Sequence, residues 1–111
     1  MPASGYIIVL TNCGSAKEAR HIARALVEKR LAACVNMLAA PVESVYWWAG
    51  KLETAKEITL LIKTSRARYA AVERAIRALH SYEVPEIIAI PITAGWRDYL
   101  AWLAESVTSR K

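Results

Sequence analysis

The segment from His80 to Glu86 holds the densest group of metal-binding side chains in this chain. Within seven residues it offers one imidazole, the phenol of Tyr82 and two carboxylates, those of Glu83 and Glu86. Imidazole is a common ligand of copper, zinc and nickel, and carboxylate oxygens add negative charge to such a site. A polar connector between a helix and a strand would have the same composition. The spacing therefore allows either a divalent-metal site or a plain connector.

The composition indicates one domain, over residues 1–111, with more apolar surface than a single copy can bury. The chain is 55% hydrophobic and 23% charged, and this apolar share is high for a small monomer. Trp47 and Trp48 are adjacent, and adjacent side chains in a strand point to opposite faces. We expect one of them to face the domain core and the other to need a further partner. The composition thus predicts an oligomer.

Cys13 and Cys34 are the two cysteines, too few for a disulfide framework in a domain of this size. We expect free, buried thiols, particularly at Cys34, which lies in an apolar run.

No nucleophile–base pair or acid–base dyad stands out in the sequence, so we expect no enzymatic activity.

The formal net charge of +5 would permit binding to nucleic acid. The basic residues, however, are dispersed along two predicted helices. An RNA-recognition domain would need aromatic side chains on its central strands for base stacking, and the predicted strand Glu57–Lys63 has none. We therefore predict no nucleic-acid partner.

Membrane and secretion signals are also missing from the sequence. No window approaches the roughly 18 apolar residues of a membrane-spanning helix. The first residues have no basic segment, and the apolar run Ile7–Leu10 is too short for a secretory signal. We expect a soluble cytoplasmic protein without a membrane partner.

The predicted elements follow the order β-α-β-β-α-β, with an extra C-terminal helix after Gly95. Ser15 begins the first helix as a capping box, in which the Glu18 side chain reaches back to the cap. Ser65 is the predicted cap of the second helix, which ends at His80. The predicted strands are Tyr6–Asn12, Cys34–Leu38 continued by Val42–Trp48 beyond Pro41, Leu52–Thr64, and Ile87–Ile92.

This order is typical of an α+β ferredoxin-like fold, an antiparallel sheet with helices on one face. The second and third strands form a hairpin that is long for a small domain. The other face of the sheet needs a cover, which the third helix or a neighbouring subunit would supply.

Five motifs, spread over nearly the whole chain, resemble the CutA proteins, a family linked with divalent-cation tolerance. They are Arg30–Asn36 (RLAACVN), Tyr46–Glu53 (YWWAGKLE), Ile62–Thr64 (IKT), His80–Ile87 (HSYEVPEI) and Tyr99–Leu103 (YLAWL). The resemblance implies a ferredoxin-like homotrimer joined through the edges of its sheets. It also implies a cytoplasmic protein that binds copper(II) or similar divalent ions.

The resemblance further implies where copper would bind. The ligands proposed in the family are a Cys at the end of the first strand and two His at the end of the second helix. This chain has Thr11 and Leu79 at two of these positions and keeps His80. Cys13, which equally suits a buried apolar role, is the nearest thiol. We predict a weak copper(II) site, not required for folding, with four candidate ligands: Cys13, His80, Glu83 and Glu86.

The alternative function is that of a small-ligand or anion sensor, with a basic, aromatic-lined cleft between subunits near Lys51. The four glycines are isolated from one another, so the chain has no glycine-rich loop for binding phosphate.

Overall fold

A computed structural model describes residues 5–108, which form an α+β fold, as predicted. Residues 1–4 and 109–111 lie outside the description, and with them part of the segment used to predict the compartment. The elements are β1 (Tyr6–Cys13), α1 (Ala16–Glu28), β2 (Cys34–Met37), β3 (Val42–Trp48), β4 (Lys51–Ser65), a 3-10 turn (Arg66–Arg68), α2 (Tyr69–Leu79), β5 (Ile88–Pro91) and α3 (Arg97–Ser106).

Strand β4 is the centre of the antiparallel sheet, whose order is β2-β4-β1-β5. Its first half pairs with β3, from Trp48 opposite Lys51 to Val42 opposite Glu57. Its second half pairs with β2 on one side and with β1 on the other. The predicted hairpin therefore exists, and the chain leaves strand conformation around Pro41 between β2 and β3. One strand of 15 residues thus positions three others.

The hairpin turn consists of Ala49 and Gly50, both with positive φ, at 51° and 78°. Positive φ at both central residues is the pattern of a type I′ turn, whose twist matches that of the flanking strands. Ala49 adopts this conformation at some cost because it carries a Cβ atom.

The main core lies between the sheet and the first two helices. Alternate residues of β1, from Ile7 to Cys13, point into it, and β4 contributes Leu60, Ile62 and Thr64. The helices supply Ala19, Ile22, Leu26, Val72 and Ile76, at the helical spacing seen in the sequence.

The opposite face of the sheet is only partly covered by α3. Leu103 and Val107 form a smaller cluster with Ala33 and Tyr6. Farther along, Ile88 and Ile90 of β5 stay exposed. Within residues 5–108, no helix has the length and apolar character needed to cross a bilayer.

The prediction that one residue of the tryptophan pair faces the core is wrong. Trp47 is 72% exposed and Trp48 is 48% exposed. Both lie at the far end of the hairpin, next to the turn and beyond the part of β4 that pairs with β1. Opposite faces of a strand offer burial only where another layer lies over the sheet.

Three smaller expectations also need correction. Ser65 makes no side-chain capping bond, because the 3-10 turn intervenes and Arg68 stands at the N-terminus of α2. Strand β5 is shorter than the predicted Ile87–Ile92. Cys34 is only half-buried, whereas Cys13 is fully buried.

Candidate metal-binding group and adjoining cleft

Cys13, Glu18 and His80 form a group in which one ligand atom from each residue lies within 4.8 Å of the others. The three residues come from the last position of β1, the first turn of α1 and the C-terminal cap of α2. The short turn at residues 14–15 brings the first two together, and the packing of α2 on the sheet adds the third. Nitrogen, oxygen and sulfur donors therefore meet in one place.

Glu18 joins this group because its side chain does not complete the predicted capping box. Ser15 Oγ accepts a hydrogen bond from the backbone N–H of Glu18 at 3.1 Å, as predicted. The carboxylate, however, accepts the backbone N–H of Ser81 at 2.7 Å and a backbone hydrogen bond from Gly14, and among the described residues it makes no bond to the Ser15 N–H that a capping box requires. Burial acts to raise the pKa of Glu18, but the hydrogen bonds from Ser81 and from the backbone of Gly14 outweigh burial and lower it.

His80 uses both ring nitrogens in hydrogen bonds. Nε2 lies 2.7 Å from the carbonyl oxygen of Asn12, and Nδ1 accepts the backbone N–H of Tyr82 at 3.1 Å. Because a carbonyl only accepts, Nε2 carries the proton and the ring is the neutral Nε2–H tautomer. The residue is 9% exposed, and its ring packs on that of Tyr82 with the centroids 4.6 Å apart. A metal ion would have to compete with the Tyr82 N–H for Nδ1.

The Cys13 thiol is buried and protonated at neutral pH. Burial, together with the nearby carboxylates of Glu18 and Glu57, raises the pKa of Cys13 to about 11. Because thiolate is the form that binds metals, a metal ion must displace this proton.

The structure brings two of the four sequence-predicted ligands together, Cys13 and His80. Glu83 and Glu86 do not belong to the group found among residues 5–108. Glu86 instead accepts a hydrogen bond from the side-chain amide of Asn12 at 3.1 Å. Glu18 was missed because a capping box explains it locally, and its contact with Ser81 spans 63 positions.

Thr11, at the position where the family resemblance implies a cysteine ligand, is completely buried. Its Oγ1 has no hydrogen-bond partner among the residues that the structure describes. Thr11 thus offers a hydroxyl where the resemblance implies a thiol, and Cys13, two residues further on, points to the same side of β1.

A cleft of about 540 Å³ opens between β3, the middle of β4 and the segment after α2. We call it the hairpin cleft. Its three carboxylates are those of Glu57, Glu83 and Glu86, and its aromatic side chains are those of Tyr46, Trp48 and Tyr82. Among the described residues that line it, none is basic. The charge of the hairpin cleft therefore favours a cation, and the predicted anion cleft between subunits near Lys51 is a separate place.

Tyr82 connects the cleft to the metal-binding group. Its hydroxyl donates to Glu57 Oε2 at 2.8 Å, while its backbone N–H donates to His80. Burial and the Glu57 carboxylate raise the pKa of Tyr82, which keeps this hydroxyl a donor. A Cβ atom at Gly14 would lie 3.3 Å from the Tyr82 hydroxyl oxygen. Because Gly14 has no side chain, the Tyr82 ring can pack closely against it.

Comparison with known proteins points to a single family. The sequence profile described as "CutA1 divalent ion tolerance protein" matches residues 7–106. A Thermus thermophilus protein named divalent-cation tolerance protein CutA is 46% identical over 99 residues, covering 89% of this chain and 95% of the relative. An Archaeoglobus fulgidus protein of the same name is 45% identical over 93 residues, covering 84% and 89%.

A solved structure supports the same relationship. It is described as the periplasmic divalent cation tolerance protein CutA from Archaeoglobus fulgidus. It matches with a TM-score of 0.89 and 41% identity, covering 93% of this chain and 99% of that one.

Proposed function

The chain belongs to the CutA1 divalent ion tolerance family, and from that premise we propose that it binds a divalent metal ion, copper(II) before others, without catalysis. The observation that carries this proposal is the approach of three ligand atoms, from Cys13, Glu18 and His80, to within 4.8 Å of one another. Copper(II) is the strongest binder among divalent first-row metals at most sites of mixed nitrogen, oxygen and sulfur donors.

The state of these donors supports weak, pH-dependent binding. Cys13 must lose a proton from a thiol whose pKa is about 11. His80 must release the Tyr82 N–H to free Nδ1, and Glu18 already accepts a hydrogen bond from Ser81. Each of these steps opposes binding, and the first becomes easier as the pH rises. The metal would therefore be cargo and not a requirement for folding.

The burial and protonation of the Cys13 thiol also support the proposal that the protein is not an enzyme. A cysteine beside a histidine resembles the nucleophile and base of a thiol enzyme, but a catalytic thiol must be accessible and partly ionised. Cys13 is fully buried, and burial raises its pKa.

For the assembly we propose a homotrimer joined through the sheet edges. Trp47 lies opposite Leu52 in the hairpin, and both are well exposed, as is Val45. Strands β5 and β2 lie at the two ends of the sheet order, where unpaired backbone groups require a cover. Neighbouring copies would bury both features.

We propose the cytoplasm as the compartment. Cys13 and Cys34 are both free, as is usual where thiols are kept reduced. The Archaeoglobus fulgidus structure is described as periplasmic, so fractionation of cells expressing the tagged protein is the direct test.

A copper(II) titration by calorimetry tests the metal proposal, with variants at each proposed ligand. We expect His80→Ala, Cys13→Ser and Glu18→Gln each to weaken binding at least about tenfold, equivalent to 1.4 kcal/mol. His21→Ala, at an exposed position on α1, is the matched control and should bind like the wild type. Identical isotherms for all variants would remove the proposed site.

Light scattering after size exclusion tests the assembly. We expect a trimer for the wild type and for the surface control Arg20→Ser. Trp47→Ser should shift the protein towards monomer, because it removes the most exposed apolar side chain of the hairpin. A wild-type monomer would contradict the proposed assembly.

A further inference from the structure

The hairpin cleft contains a carboxylate whose charge has no cationic partner among residues 5–108 of its own chain. Glu57 is 6% exposed, and its hydrogen bond within the described chain is the one that Oε2 accepts from Tyr82. No lysine or arginine among residues 5–108 pairs with it. A nearly buried carboxylate without a cation is costly unless a ligand supplies the positive charge.

The shape of the cleft favours an organic molecule over a bare metal ion. Glu57, Glu83 and Glu86 do not form a group that could hold one ion among the described residues. Their carboxylates do not gather around one point in this structure, and each can contact a different part of a larger ligand. The volume, about 540 Å³, lies within the range of roughly 300–1,000 Å³ that is usual for small-molecule sites.

The walls of the cleft supply the remaining contacts. The register of the hairpin places Tyr46 and Trp48 on the same face of the sheet as Glu57, and Val84 lies across from them on the loop after α2. Aromatic faces attract cations through their quadrupole. Carboxylates beside aromatic and aliphatic walls are suited to a positively charged group on a carbon skeleton.

We propose that the hairpin cleft binds an organic ammonium ion, with the ammonium group at Glu57 and the carbon skeleton against Trp48 and Val84. The site adjoins the group formed by Cys13, Glu18 and His80 through Tyr82, but none of these three residues lines the cleft. The ligand class follows from unbalanced negative charge, a cavity too large for one ion and aromatic walls.

Calorimetric titration of the wild-type protein with four probes tests the ligand class. The probes are n-butylammonium, 1,4-diaminobutane, 1-butanol and Mg²⁺. We expect both amines to bind, while 1-butanol, which lacks the charge, and Mg²⁺, which lacks the carbon skeleton, should bind at least about tenfold more weakly. Failure of both amines to bind, or Mg²⁺ binding as tightly as the diamine, would overturn the proposal.

Three substitutions test the position of the site. Glu57→Gln should weaken amine binding about 10- to 100-fold, the equivalent of one hydrogen bond to a charged group. Glu83→Gln, at an exposed position, gives a second variant that does not disturb the Tyr82 contact, and it should also weaken binding. Glu43→Gln removes the same charge from an exposed position of β3 outside the lining of the cleft and should leave the affinity within about twofold.

A nuclear magnetic resonance titration gives an independent readout. Amine binding should shift the indole N–H signal of Trp48 more than that of Trp102, which lies on α3. Equal loss of affinity in Glu43→Gln and Glu57→Gln would show that amine binding depends only on the overall charge of the protein. Either that result or the lack of a shift at Trp48 would contradict binding in the hairpin cleft.

Discussion

The imidazole of His80 donates from Nε2 to the backbone carbonyl of Asn12 across 2.7 Å, which ties the end of α2 to the end of β1. Asn12 in turn holds two side chains, because its amide nitrogen donates to Glu86 and its amide oxygen accepts from Thr59. His80 is thus a structural residue in the protein without metal, whatever it binds.

Replacement of His80 by alanine should lower stability even when no metal is present. The Asn12 carbonyl and the Tyr82 N–H would lose their partner in a nearly buried position, at a cost of about 1–3 kcal/mol each at most. Urea denaturation in a chelator-treated buffer measures the free energy of unfolding. The control His21→Ala should stay within about 0.5 kcal/mol of the wild type, since it lies on an exposed surface. Equal stability of both variants would contradict the structural role.

Alkaline pH should destabilise the protein through Cys13. The pKa of this thiol is about 11 in the folded chain, against 9.0 for an exposed cysteine. Above pH 9 the unfolded state therefore binds fewer protons, so stability falls as the pH rises from 9.0 towards 11. Denaturant midpoints measured across this range should show a smaller loss for Cys13→Ala than for the wild type. An equal loss in Cys13→Ala and in the wild type would contradict the role of this thiol.

Acid should remove the contribution that the ionised Glu18 side chain makes to folding stability at neutral pH. Because the folded pKa of Glu18 lies below the 4.5 of an exposed glutamate, the unfolded state takes up its proton first as the pH falls. The stabilisation is present above that value and disappears below it. Glu18→Gln keeps a neutral acceptor for Ser81, so it should cost about 1 kcal/mol at pH 7. The difference in the free energy of unfolding between this variant and the wild type should shrink at pH 3. A difference that stays constant with pH would contradict a contribution from the charge of Glu18.

Gly14 and Tyr82 should be energetically coupled. Alanine at position 14 would place Cβ 3.3 Å from the Tyr82 hydroxyl oxygen and 3.5 Å from a ring carbon. Gly14→Ala should therefore cost about 1 kcal/mol more in the wild type than in a Tyr82→Phe background, where the closest atom is missing. The entropy that alanine removes from the unfolded chain is common to both backgrounds and cancels in a double-mutant cycle. Additive effects would contradict the contact.

Local patterns predicted much of the fold. The helical stripe of α1, the Ser15 cap and the long hairpin depend on residues close together in sequence, and all three are present. His80 and Cys13 could be named in advance because their chemistry is distinctive. Glu18 could not, since a carboxylate three residues after a serine already has a local explanation and its partner lies 63 positions away.

The errors concern burial, which depends on where the layers of the fold end. Alternation in β3 indicates which tryptophan faces which side, but only the positions of the helices decide whether that side is covered. Cys34 lies in an apolar run and is still half-buried, because the face it shares is covered only in part. Cys13 stands beside a glycine and is fully buried because β1 continues to its last residue under α1.

The continuity of β4 determines which kinds of genetic change this protein can tolerate. Leu60, Ile62 and Thr64 point into the core, while Glu57, at the opposite parity, belongs to the hairpin cleft. A substitution in β4 affects one of these regions, but a one-residue insertion or deletion between Glu57 and Leu60 would shift the register of one half of the strand against the other. Either the cleft would receive core side chains or the core would receive a carboxylate. We therefore expect sequence changes in β4 to be replacements, and changes in length to be confined to the turn after β3.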